Sequence, residues 1–117
     1  MSTSNNKNAQ LAVRYFQCWG SRDLASLELL MAEDCMLVDW DGPCLGRNRI
    51  LDETRKLFAS SKILVLDVKK IAVGQDTVMA ELEIRIDKIK MYVVDVLDYN
   101  NDSKIQRIRA YRIWKNI

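Results

Sequence analysis

The chain has 117 residues, of which 49% are hydrophobic and 29% charged, so it is long enough for one globular domain and too apolar for a disordered chain. Its net charge is only +2, and the basic residues are not gathered on the single stripe that is typical of nucleic-acid-binding proteins. The absence of histidine excludes Ser-His-Asp and Cys-His catalysis and histidine-ligated metals, so acid–base chemistry would fall to carboxylates, Tyr, Lys or Cys.

The cysteines and the hydropathy pattern predict a cytoplasmic protein. Cys18, Cys35 and Cys44 are odd in number and form no CxxC pair, which favours free thiols in a reducing compartment. Residues 1–8 lack the apolar run of a signal peptide, and no apolar stretch reaches the roughly 18 residues that a membrane helix needs. We therefore expect neither a membrane nor a nucleic acid among the partners.

The first half of the chain is predominantly helical. Residues 1–8 are polar and predict a flexible tail, and helical spacing of apolar residues predicts a first helix over Ala9–Trp19. Asp23 can cap a second helix, whose apolar face comprises Leu24, Leu27, Leu30 and Met31. A short strand over Cys35–Asp39 then enters a turn at residues 40–43, and a third helix spans Arg47–Ser60, with apolar residues including Phe58 facing inward.

The second half of the chain predicts four strands joined by short turns, which makes neighbouring strands antiparallel. The strands span Ile63–Val73, Thr77–Ile86, Ile89–Tyr99 and Lys104–Trp114. Residues 9–117 are therefore predicted to form a single α+β domain, with three N-terminal helices packed on a curved antiparallel sheet.

Asp95 is the most informative residue of the predicted sheet. A two-residue turn at Asp87 and Lys88 would pair Ala80 with Asp95 and put the carboxylate on an otherwise apolar face. Because a carboxylate on such a face is costly unless it is paired or protonated, this position suggests a site. The same register places Ile108, Ala110 and Arg112 on the face of Asp95, although one bulge in the last strand would reverse the assignment of Arg112.

Three short segments resemble those of ketosteroid isomerases. Arg14-Tyr15 in the first helix is similar to that family's segment with the oxyanion tyrosine. Val38-Asp39 before Trp40-Asp41-Gly42 and Gly46-Arg47 is similar to the strand and turn with the catalytic aspartate. Val94-Asp95-Val96, with Lys104-Ile105 and Ala110-Tyr111, is similar to the strands that carry the second, protonated aspartate. The element order resembles the cone-shaped, cystatin-like fold shared by these isomerases, SnoaL-like polyketide cyclases and nuclear transport factor two.

The resemblance implies an acid–base enzyme that needs no cofactor or metal and acts on a small, largely apolar carbonyl compound. Asp39 would be the base, while Tyr15 and a neutral Asp95 would donate hydrogen bonds to the oxyanion. A homodimer through the outer face of the sheet is also expected. Residues expected to contact the substrate are Arg112, Trp40, Met91, Val93, Ile108, Ala110 and Phe58.

Two positions depart from the family's pattern. Thr54 occupies the place of a second network tyrosine, and Arg112 that of a pocket tryptophan. A guanidinium beside Asp39 or Asp95 would lower that carboxylate's pKa, and it could bind an anionic substrate group instead.

Structural interpretations of the same residues remain open at this point. Tyr15 could be a core aromatic, Asp39 could brace the following turn, and Asp95 could form an ion pair with Arg112. Three hypotheses follow for the whole protein: an acid–base enzyme without a cofactor (an isomerase, or a lyase or SnoaL-like cyclase), a small-ligand-binding protein without turnover, or a protein-interaction module with a vestigial cavity.

Overall fold

The computed structural model describes the backbone of residues 3–114 and the side chains of residues 7–114. The helices are α1 (Thr3–Gly20), α2 (Leu24–Leu30) and α3 (Arg47–Ser60). The strands are β1 (Met31–Asp39), β2 (Gly42–Leu45), β3 (Leu64–Gly74), β4 (Thr77–Ile86), β5 (Ile89–Tyr99) and β6 (Ile105–Ile113). They form one six-stranded sheet in the order β2-β1-β6-β5-β4-β3.

Helix α1 begins earlier than predicted. It starts at Thr3, and Asn8 is already buried, with only 4% of its surface exposed. The predicted tail is therefore wrong for residues 3–8, which have neither the glycine nor the proline that would stop a helix; residues 1 and 2 lie outside the described part of the chain. Asp23 caps α2 as predicted, because its carboxylate accepts hydrogen bonds from the backbone N–H and the hydroxyl of Ser26 at 3.1 and 2.7 Å.

The four successive strands β3 to β6 are antiparallel, and the register predicted between β4 and β5 is confirmed, with Ala80 opposite Asp95 and Leu82 opposite Val93. Strand β1 is longer than predicted: Met31 belongs to it rather than to α2, and it runs parallel to β6. The turn predicted at residues 40–43 is shorter than predicted: it comprises Trp40 and Asp41, and Gly42 and Pro43 already belong to the short edge strand β2, where Pro43 pairs with Val38. Proline is tolerated there because an edge strand leaves one row of N–H groups unpaired.

Curvature of the sheet gives the fold its concave face. The register shifts between Met31 and Met36, between Val68 and Lys70, and between Asp98 and Tyr99, and bulges of this kind bend and twist a strand. Helix α1 packs against β3 and β4, and α3 packs against β1. Because the helices cover the concave face from its two sides, apolar residues of the sheet are buried beneath them and space remains between.

Candidate active site

The concave face encloses a cavity of about 470 Å³, a volume within the usual range of small-molecule sites. Its wall is formed by α1, the end of β1 with the turn that follows, β2, α3 and the inner face of β3 to β6. Eight of the predicted site residues line it: Tyr15, Asp39, Trp40, Met91, Val93, Asp95, Ile108 and Ala110. The structure thus brings three separate segments of the sequence to one space.

Asp95 lies at the floor of the cavity, on the central strand β5. Its cross-strand neighbours are Ala80 on β4 and Ala110 on β6, so a methyl group stands on each side of the carboxyl group. The small neighbours leave the space above Asp95 open, whereas the next rows of the face carry Leu82, Val93 and Ile108. Asp95 therefore occupies a hollow with apolar walls.

Burial and a second negative charge keep Asp95 protonated to an unusual pH. Only 9% of the residue is exposed, and no hydrogen bond to its side chain is formed by the residues that the structure describes. Loss of solvation, together with the negative charge of Asp39, raises the pKa of Asp95 from 3.8 to about 7. Near neutral pH a large fraction of Asp95 is therefore a neutral carboxylic acid that can donate a hydrogen bond.

Tyr15 supplies a second neutral donor from α1. The side chain is 8% exposed, and its ring meets Phe16 edge to face with centroids 5.4 Å apart. Burial raises the pKa of the phenol well above 10.0, and the negative charge of an ionised Asp95 raises it further. The hydroxyl therefore keeps its proton throughout the neutral range.

Asp39 stands closer to the mouth, at the end of β1. Its carboxylate accepts the backbone N–H of Asp41 at 2.8 Å, so it does brace the turn as the structural interpretation holds, and it also lines the cavity. Val38 pairs with Arg109, which puts Asp39 beside Ala110, the residue that also neighbours Asp95. The two carboxyl groups thus lie in one row across three strands, with Cα atoms roughly 10 Å apart from the strand spacing.

Two of the predicted substrate-contacting residues lie outside the cavity wall. Arg112 pairs with Val93 as the register requires, but its guanidinium stacks 4.0 Å from the ring centroid of Trp114 and 5.8 Å from that of Trp40. The pKa of Asp95 is raised, whereas an adjacent guanidinium would lower it. Neither an Asp95–Arg112 ion pair nor the lowered pKa is therefore found, because two tryptophans hold the side chain elsewhere.

Phe58 is the second predicted substrate-contacting residue that lies outside the cavity wall. It is buried, with its ring edge-on to Trp19 at 5.5 Å, and it supports the wall from behind rather than lining it. Thr54, at the position of the family's second tyrosine, lines the cavity, but its hydroxyl donates to the carbonyl of Ile50 at 2.7 Å within α3. That hydroxyl hydrogen is already used inside the helix.

The sequence reasoning missed several polar residues of the wall. Arg49 and Glu53, one turn apart on α3, and Cys44 on β2 line the mouth together with Asp41, and Trp19 lines it from α1. Burial raises the pKa of the Cys44 thiol, against the lowering effect of Arg49. Trp19 could have been found from its helical spacing to Tyr15; Cys44 could not, since β2 itself was unpredicted.

No group of three or more Cys, Asp and Glu side chains within residues 3–114 is arranged to hold a metal ion. None of the helices in that range combines the length and the apolar composition needed to cross a membrane.

Comparisons with known proteins agree with this geometry. Residues 12–108 match the family model described as the SnoaL-like domain, so the chain belongs to the SnoaL-like family, whose fold is related to that of ketosteroid isomerases and polyketide cyclases. No curated protein matches the chain.

Solved structures show the same fold at low sequence identity. A candidate ketosteroid isomerase from Kribbella flavida superimposes with a TM-score of 0.88 and 15% identity, over 98% of this chain and 84% of that one. A candidate SnoaL-like polyketide cyclase from a Jannaschia species gives 0.83 and 14%, over 96% and 89%. A protein of unknown function with a cystatin-like fold from Methylobium petroleophilum gives 0.85 and 11%, over 97% and 80%. At identities this low, the structural similarity establishes the fold alone, and any chemistry must be argued from the site.

The raised pKa of Asp95 predicts a pH-dependent loss of stability. Between pH 3.8 and about 7 the unfolded chain releases this proton while the folded protein keeps it, so the free energy of unfolding falls with rising pH. The slope from this one group is at most about 1.4 kcal/mol per pH unit, and it vanishes outside the window. We expect urea unfolding of wild type and Asp95→Asn to show a stability difference that shifts in favour of Asp95→Asn across this range.

The Asp95→Asn variant is the reference for the wild type. Every other carboxylate titrates in both proteins, so its contribution to the free energy of unfolding cancels in the difference. A difference that stays constant from pH 4 to pH 7 would contradict the raised pKa.

Proposed function

We propose that the protein is a cofactor-independent acid–base enzyme that moves a proton on a small, largely apolar carbonyl compound. The observation that supports the proposal is that Asp39 and the buried Asp95 line one cavity, close enough for the negative charge of Asp39 to act on Asp95. Tyr15 adds a second neutral donor to the same space.

The division of labour follows from the environment of each group. The Asp39 carboxylate would remove a proton from the carbon next to the carbonyl group, and the C–H electron pair would move to the carbonyl oxygen. Tyr15 and neutral Asp95 would donate hydrogen bonds to that oxygen as it becomes negative. The protonated Asp39 would then return the proton to another carbon, which shifts the double bond and restores the base. This is the pattern of a ketosteroid isomerase.

Arg112 lies outside the cavity wall, so an apolar ketone meets no guanidinium at the floor. The arginine at position 112 therefore no longer argues against a neutral carbonyl substrate.

A non-catalytic ligand-binding domain is the second candidate. It is favoured by the hydrogen bond from the Asp41 N–H to Asp39, which gives this carboxylate a structural role that needs no chemistry. The open cavity, by contrast, does not support an interaction module with a vestigial pocket.

The proton-transfer proposal predicts that Asp39→Asn slows turnover strongly. The ultraviolet absorbance change on conjugation of a β,γ-unsaturated ketosteroid measures the reaction, and removal of the base should lower kcat by about 10² to 10⁴. Asparagine keeps an oxygen for the Asp41 N–H, so the turn is preserved. Asp52→Asn, an exposed residue of α3, is the matched control and should leave the rate unchanged.

A pair of tyrosine variants separates catalysis from packing. Tyr15 and Tyr99 are both buried, but only Tyr15 lines the cavity. Tyr15→Phe should lower kcat by about 10² or more, and Tyr99→Phe should not. Wild-type protein that binds the ketone without turnover would favour the binding domain instead.

We also infer a homodimer through the outer face of the sheet and, from three free cysteines, a cytoplasmic location. Several charged residues of that face are already paired within the chain, Glu83 with Lys69 and Lys90, and Asp98 with Arg107 and Arg109. Apolar area for a two-fold interface is supplied by Tyr111 and Met79, which are 56% and 43% exposed.

The dimer proposal predicts that Tyr111→Glu yields monomers. Light scattering after gel filtration should give twice the chain mass for wild type and for the turn variant Asn101→Glu, and a single chain mass for Tyr111→Glu. A wild-type protein that is monomeric at all concentrations would contradict the proposal.

A further inference from the structure

The mouth of the cavity carries more negative than positive charge. Asp39 and Asp41 approach it from the end of β1, and Glu53 from α3, whereas Arg49 is the one cation among the described residues of the wall. The remaining titratable groups of the wall are the Cys44 thiol, Tyr15 and Asp95, which add no positive charge. The lining of the opening therefore carries three carboxylates and one guanidinium.

Nearby cations leave most of this negative charge uncompensated. Glu53 pairs with Lys56 at 3.4 Å, but both side chains are more than half exposed, and an ion pair so exposed is weak and easily exchanged. Arg49 makes no ion pair within 4.0 Å with a carboxylate of the described residues. Asp39 has only the Asp41 N–H as a donor, and Asp41 accepts no side-chain hydrogen bond from the described residues.

The carboxyl group of Asp95 is an independent feature that points to a ligand in this space. Asp95 is nine-tenths buried, lines the floor of the cavity and has no hydrogen-bond partner among the described residues. A buried carboxyl group without a partner is costly, and a bound carbonyl oxygen would supply one. The negative charge of Asp39 already acts on Asp95, so the field of the mouth extends to the floor.

We propose that the ligand of this cavity carries a positively charged amine at the end that faces the mouth, where Asp41 and Glu53 bind it, and a carbonyl group at the end that faces Asp95. The carbonyl group at the Asp95 end rests on the proposed function. The positive charge at the other end of the ligand is new. The three carboxylates of Asp39, Asp41 and Glu53 outnumber the single guanidinium of Arg49 in this part of the wall, so their summed charge favours a cation over an anion.

Three probes of one skeleton test the charge preference: para-acetylbenzylamine, para-(hydroxymethyl)acetophenone and para-acetylbenzoic acid. Isothermal titration at pH 7 and low salt should show the amine binding about tenfold more tightly than the alcohol, and the acid more weakly than both. The preference for the amine should shrink severalfold in Asp41→Asn and Glu53→Gln. It should persist in Asp52→Asn, which removes an exposed carboxylate of the same helix that lies outside the cavity wall.

The outcomes separate this inference from the proposed function. An amine that binds no more tightly than the alcohol, or a preference that survives in both Asp41→Asn and Glu53→Gln, overturns the inference; so does failure of all three probes to bind. None of these results depends on turnover, which Asp39→Asn tests by itself. A charge preference in a protein without turnover would support the inference and contradict only the catalytic proposal.

Discussion

The burial of one carboxyl group on an apolar sheet face is the constraint on which the site depends. Asp95 could not lie at that position as an anion without a partner, and the described part of the chain supplies none. The group remains protonated to about pH 7 instead, and this converts an acceptor into a donor. The alanines on both sides, Ala80 and Ala110, keep the space in front of Asp95 open. The carboxyl group whose burial is costly therefore faces the cavity directly.

The remaining elements serve to complete that cavity. Bulges curve the sheet, α1 brings Tyr15 over the concave face, and the parallel pairing of β1 with β6 sets Asp39 in the same row as Asp95. The acidic mouth and the neutral floor then divide the cavity into two environments. Burial raises the pKa of Asp95, so a neutral carboxyl group lies in the same cavity as the carboxyl group of Asp39.

How much of this could be predicted from the sequence depended on the range of the interactions involved. Alternation in β4 and β5 and the two-residue turn fixed the register that turns Asp95 inward, and helical spacing located Tyr15; both signals are local. The position of Arg112 was missed because two tryptophans hold it, Trp40 beyond β1 and Trp114 beyond β6. Strand β2 and the polar residues of the mouth depend on tertiary contacts, which periodicity does not encode.

Carbon-13 NMR of the side-chain carboxyl group of Asp95 measures its protonation without the intervention of catalysis or folding. We expect a titration midpoint near pH 7 in the wild type and a lower midpoint in Asp39→Asn, because the charge of Asp39 contributes to the raised pKa. A midpoint close to 3.8, unchanged by the substitution, would show that Asp95 is an ordinary carboxylate and that the cavity holds no neutral carboxylic acid.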